Sequence, residues 1–99
     1  MRVRLKVQIP VEAGNKAIKD GQLPKIMAST VATLKPEAAY FFAEDGKRTA
    51  EFFLDLKDVS QIPVIVEPLF MGFNASVDVT PVMNADDLQA GLQQASKHF

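Results

Sequence analysis

Residues 2–9, Arg-Val-Arg-Leu-Lys-Val-Gln-Ile, alternate polar and apolar without a break. A strand has a side-chain period of two, so Val3, Leu5, Val7 and Ile9 share one face and Arg2, Arg4, Lys6 and Gln8 the other. One strand cannot bury its own apolar face. The chain must therefore build a sheet with unlike sides and cover one of them. Pro10 cannot donate to a ladder and ends the strand. With 99 residues there is room for one domain, 1–99, and no second.

The remaining elements follow from pattern. Residues 15–20 (NKAIKD) read as a short helix stopping at Gly21. Leu23-Pro24 opens a second helix that ends before Pro36, with Leu23, Ile26, Met27, Val31 and Leu34 as its apolar stripe. Residues 38–43 and 48–56 flank Glu44-Asp45-Gly46-Lys47, and Asp-Gly between aromatic-rich runs signals a hairpin. A two-residue Asp45-Gly46 turn sets Phe42 opposite Thr49, Tyr40 opposite Glu51 and Ala38 opposite Phe53. In residues 60–73 (SQIPVIVEPLFMGF) the β-branched run suggests a strand, and Pro68 opposes a helix. Ser60 as a cap, Pro63 in a first turn and the stripe Ile62, Ile65, Val66, Leu69, Phe73 favour a kinked helix, the reading adopted. Residues 75–80 alternate again. Asn84 then caps a terminal helix with Asp86 and Asp87 in its first turn, Leu88, Leu92 and Ala95 as a narrow apolar edge, and Lys97 at its end.

The first six elements make a βαββαβ order, an α+β ferredoxin-like fold whose four-stranded antiparallel sheet carries helices on one face, here with an additional C-terminal helix. Val3, Leu5, Val7, Ile9, Phe41, Phe52, Leu54, Val77 and Val79 are expected beneath the helices. The opposite face gathers Arg2, Arg4, Lys6 and Gln8 with Ala38, Tyr40 and Phe42. It also carries Thr49, Glu51, Phe53 and Asp55, then Ser76, Asp78 and Thr80. A contiguous aromatic patch on such a face marks an interaction surface. Its basic residues come from the first strand and its acidic ones from the expected neighbours, so cross-strand ion pairs are expected to neutralise it.

This element order, in about a hundred residues, resembles the dimeric α+β barrel superfamily, which includes muconolactone isomerase and cofactor-free antibiotic-biosynthesis monooxygenases. The segments IPVIVEPLFMGF and ASVDVTPVMNADDL also resemble a group of short uncharacterised bacterial proteins. The resemblance implies a homodimer packed sheet to sheet around a small ligand, with no cofactor. It transfers no catalytic residue. Members that use a histidine carry it on a helix, and His98 at the chain end does not match.

Composition narrows the function. Eleven basic and twelve acidic residues give a net charge of −1, which disfavours nucleic acid as a partner. The absence of cysteine removes disulfides, thiolate metal sites and thiol catalysis, and the single histidine cannot build an imidazole cluster within one chain. No apolar run reaches the ~20 residues of a membrane span, and the alternating amino terminus is unlike a signal peptide, so a cytoplasmic location is expected.

The candidate ligand site is Arg4, Lys6, Tyr40, Glu51, Phe53 and Asp78, aromatic walls with a few polar groups suited to an anionic or carbonyl-bearing molecule. Tyr40 beside Glu51 has the make-up of a proton-transfer pair, although a plain cross-strand contact is the commoner meaning. The competing reading is an oligomerisation or regulatory module whose face holds no ligand. Glu67, alone in an apolar run, is read as an outward carboxylate. Gly14 and Gly21 are read as turn and cap, and the Asn74-Ala75-Ser76 sequon as chance.

Overall fold

The computed structural model describes residues 1–99. The chain runs β1 (Arg2–Ile9), α1 (Val11–Lys19), α2 (Gln22–Leu34), β2 (Ala38–Glu44), β3 (Lys47–Asp55), α3 (Gln61–Phe73), β4 (Ser76–Pro81) and α4 (Ala85–Ala95), then one 3-10 turn over Ser96–His98. The alternating segment β1 sits inside the sheet, antiparallel to β3 on one side and to β4 on the other, giving the order β2-β3-β1-β4. This is the ferredoxin-like α+β arrangement. The β2–β3 hairpin has the expected register, Phe42 with Thr49, Tyr40 with Glu51 and Ala38 with Phe53. Its turn is formed by Asp45 and Gly46 at φ 55° and 72°, positive values that suit a two-residue hairpin loop.

The core lies between one sheet face and the helices. Val3, Leu5, Val7, Ile9, Ala50, Phe52 and Leu54 are buried from the sheet, and Ala17, Val66, Leu69 and Phe73 meet them from α1 and α3. Leu23, Ile26, Met27 and Leu34 of α2 pack against this cluster half-buried, while Val31 stays exposed. α3 is helical through Pro68, its outer side formed by exposed Val64, Glu67 and Met71. Its entry is fixed by neighbours of Ser60. Asp58 accepts the Ser60 N–H at 2.8 Å, and Gln61 Oε1 accepts the N–H of Lys57 at 3.2 Å.

Two expectations are corrected. α1 begins at Val11 directly after Pro10, and Gly14 lies buried inside it rather than in a turn. The helix passes so close to β1 and β3 that a Cβ on Gly14 would stand 3.4 Å from Ile9 Cγ2 and 2.7 Å from Arg48 Nη1. Phe41 points to the helical side but is 62% exposed, because β2 is an edge strand and its ring touches the core only edge-on, 5.9 Å from Phe52.

At one end of β3, Asp55 accepts hydrogen bonds from Lys57 Nζ at 2.6 Å and from the Met1 amino group at 2.8 Å. The Lys57 hydrogen bond first, then that of the amino group, lowers its carboxyl to about 2 from the usual 3.8. A depressed carboxylate stabilises the fold above its unfolded pKa, and that contribution is lost as pH falls through the folded value. The melting temperature is therefore expected to drop between about pH 4 and pH 2. Asp55→Asn should shrink that drop in a pH series of thermal melts, and an identical acid limb in the variant would refute the assignment.

Candidate functional site

The sheet face away from α1, α2 and α3 carries every residue of the expected site. Arg4 lies opposite Phe53 and Thr80, and Lys6 opposite Glu51 and Asp78. Tyr40 extends the Lys6–Glu51 row to the edge strand. Tyr40 is 60% exposed and Phe42 is exposed beside it, whereas Phe53 is half-buried. The alternation of four strands thus brings Arg4, Lys6, Tyr40, Glu51, Phe53 and Asp78 onto one surface.

Both ends of this face are closed by polar contacts. At one end Gln8 Nε2 donates to the Glu44 carbonyl at 3.0 Å and to Thr49 Oγ1 at 3.4 Å, and Thr49 donates to the Lys47 carbonyl at 3.1 Å. Lys6 forms an ion pair with Glu44 there. The hydrogen bond that Lys6 donates to the Glu44 carboxylate holds the ammonium above the ordinary lysine range. At the other end Arg2 Nε donates to Glu37 at 2.6 Å and its guanidinium lies 3.9 Å from Asp87. The ion pairs thus run from β1 to the flanks, not to the strands directly beside it as expected, because long Arg and Lys side chains reach past their immediate neighbours.

The middle is left open. No ion pair within the chain involves Arg4, Glu51 or Asp78. Arg4 Nε is itself buried and finds no hydrogen-bond partner. A guanidinium is charged at every physiological pH and carries five donors, so a buried donor left unmade carries a free-energy cost. The unpaired groups are one cation and two anions, framed by Tyr40 and Phe53. Chemically this centre offers a forked hydrogen-bond donor for an anion, an apolar wall and a phenol–carboxylate pair.

Sequence reasoning missed the larger indentation beside this face. A cleft of roughly 690 Å3 is lined by Met1, Arg2, Lys35, Glu37 and Asp55 together with Pro81, Val82, Met83 and Asp87. Alternation put Arg2 and Asp55 on the correct side. The segment after β4 lines the cleft alongside the start of β1, where the Val82 N–H continues the β1–β4 ladder by donating to the Arg2 carbonyl at 3.2 Å. No local pattern announces where that segment lies. Glu67 and His98 are exposed and belong to neither place. No helix is long and apolar enough to cross a membrane. Set beside known proteins, the chain is matched by no family model, no curated protein and no solved structure.

Proposed function

We propose that this protein binds a small anionic or carbonyl-bearing molecule against its open sheet face, between two copies of the chain and without a cofactor. The observation that carries the reading is Arg4, whose buried Nε lacks a partner in the middle of an aromatic and charged surface. A carboxylate or polarised carbonyl would satisfy that fork by charge-assisted hydrogen bonds, and the Tyr40 and Phe53 rings would supply the apolar wall. Tyr40 and Glu51, directly opposed across β2 and β3, would be the acid–base pair if the bound molecule is isomerised or oxygenated.

A second reading has one observation in its favour. None of the principal clefts is lined by Arg4, Lys6, Tyr40, Glu51, Phe53 or Asp78. A non-enzymatic module, with Arg4 of one copy meeting Glu51 or Asp78 of the other, would also satisfy the lone charges.

Light scattering at micromolar concentration is expected to give about twice the 10.9 kDa of the chain. Native mass spectrometry and thermal shifts with aromatic carboxylates and lactones should reveal a bound ligand. The double variant Tyr40→Ala/Arg4→Ala should lose it while remaining a folded dimer. Equal binding by the double variant would remove the site, and a dry dimer that shifts with no compound would favour the second reading.

A further inference from the structure

The terminal helix leaves the body of the protein. α4 is well begun, since Asn84 accepts the Asp87 N–H at 2.8 Å while the Asp87 carboxylate accepts the Asn84 N–H at 3.1 Å. Beyond the Arg2–Asp87 ion pair and its own final turn it has no substantial packing, and none of its residues is buried. Leu88 and Leu92 are 48% and 54% exposed. The radius of gyration is 16.1 Å and the longest dimension 56 Å, against about 13 Å expected for the radius of a domain this size. An eleven-residue helix is marginal alone in water, so a helix of this length normally owes its stability to packing.

From Leu88 to Ser96 the helix carries no ionisable side chain, although a helix that stays in solvent normally has charges on its outer side. Ala38–Ala43 of β2 likewise carries no charged side chain, with Tyr40, Phe41 and Phe42 open to solvent. That stretch is also an edge strand with an unpaired ladder, a liability that proteins ordinarily cover. The two uncharged stretches belong to opposite edges of the sheet, because α4 follows β4 and the order is β2-β3-β1-β4. Within one chain they make no substantial contact. A two-fold axis parallel to the strands, between two stacked open faces, sets β4 of one copy over β2 of the other.

We infer that α4 is an exchanged arm, which lays its Leu88, Leu92 and Ala95 edge on the Ala38–Ala43 strand of a second copy. The contact is isologous, so two arms close the dimer and leave no free end to propagate. It sets uncharged surface against uncharged surface and covers an edge strand whose aromatic rings its own chain leaves largely open. The inference rests on the face-to-face homodimer proposed above.

The absence of cysteine allows a clean test. Ala43→Cys and Gln93→Cys, both at exposed positions, are prepared separately, mixed to exchange subunits and treated with a short bis-maleimide. A covalent dimer is expected from the mixture well above that from either variant alone. In the double variant Ala43→Cys/Gln93→Cys, a product of single-chain mass would mean that the arm folds back on its own body and would overturn the inference. A dimer by light scattering with no mixed product would overturn the arm and leave the face pairing standing, whereas a monomer would overturn both. Leu88→Asp/Leu92→Asp lies outside the folded body, so the melting of the core should be unchanged. The dimer dissociation constant should rise at least a hundredfold, about what losing two buried leucines predicts. An unchanged constant would also overturn the arm.

Discussion

Replacing Phe52 with alanine is expected to lower the stability of the protein by about 3–5 kcal/mol, the range for deleting a fully buried phenylalanine. Phe52 is 0% exposed and lies on β3 opposite Leu5 of β1 and Ala39 of β2, so its ring fills the layer beneath α1 and α3. Close packing around it leaves little freedom to collapse into the space vacated, and the cavity adds to the lost transfer energy. Small domains have only about 5–15 kcal/mol in total, so the variant should melt roughly 20 °C lower and unfold at much less urea. Phe41→Ala is the control. Its ring rests on Phe52 edge-on but is mostly in water, so the expected loss is about 1 kcal/mol, close to the worth of one aromatic contact. Equal losses at the two positions would mean that Phe41 is covered after all in the free chain.

That contrast also measures what the sequence could say. Alternation in Arg2–Ile9 assigns a side of the sheet to every residue, and the Asp45-Gly46 turn carries the register into β2 and β3, because both are properties of the local backbone. Neither states how far the helices extend over that side. Phe41 therefore has the correct face and the wrong environment. Gly14 misleads in a related way. Its lack of a side chain serves close approach to Ile9 and Arg48 rather than a turn, and nothing within a few residues distinguishes the two uses. The capping box at Asn84 and Asp87 was readable for the same reason that β1 was, being a matter of residues three apart. The direction α4 takes was not, since no pattern within the helix fixes the path of the chain between β4 and Asn84. Of the site, the side of the sheet holding Arg4, Lys6, Tyr40, Glu51, Phe53 and Asp78 was legible. Which of those charges would find partners was not, because Lys6 and Arg2 pair with Glu44 and Glu37, carboxylates far away in the chain.

Arg4→Met is expected to move stability and binding in opposite directions. Methionine keeps an unbranched stem of similar reach along the sheet and removes the guanidinium whose buried Nε has no acceptor. Deleting an unsatisfied buried donor without opening a cavity relieves a desolvation cost, so the unliganded protein should become about 1 kcal/mol more stable. The same change removes the forked cation proposed to hold the ligand. Charge-assisted hydrogen bonds contribute about 1.5–3 kcal/mol each, so affinity for an aromatic carboxylate should fall at least a hundredfold when two are lost. Arg4→Lys separates charge from shape. It retains the cation and loses the planar fork, and binding should be intermediate. A group kept at the expense of stability is the mark of a site under functional constraint, because a purely structural residue loses stability when it is replaced. Should Arg4→Met melt lower than the parent, with carboxylate affinity unchanged, Arg4 would be a packing residue and the open face would lose its reason to bind an anion.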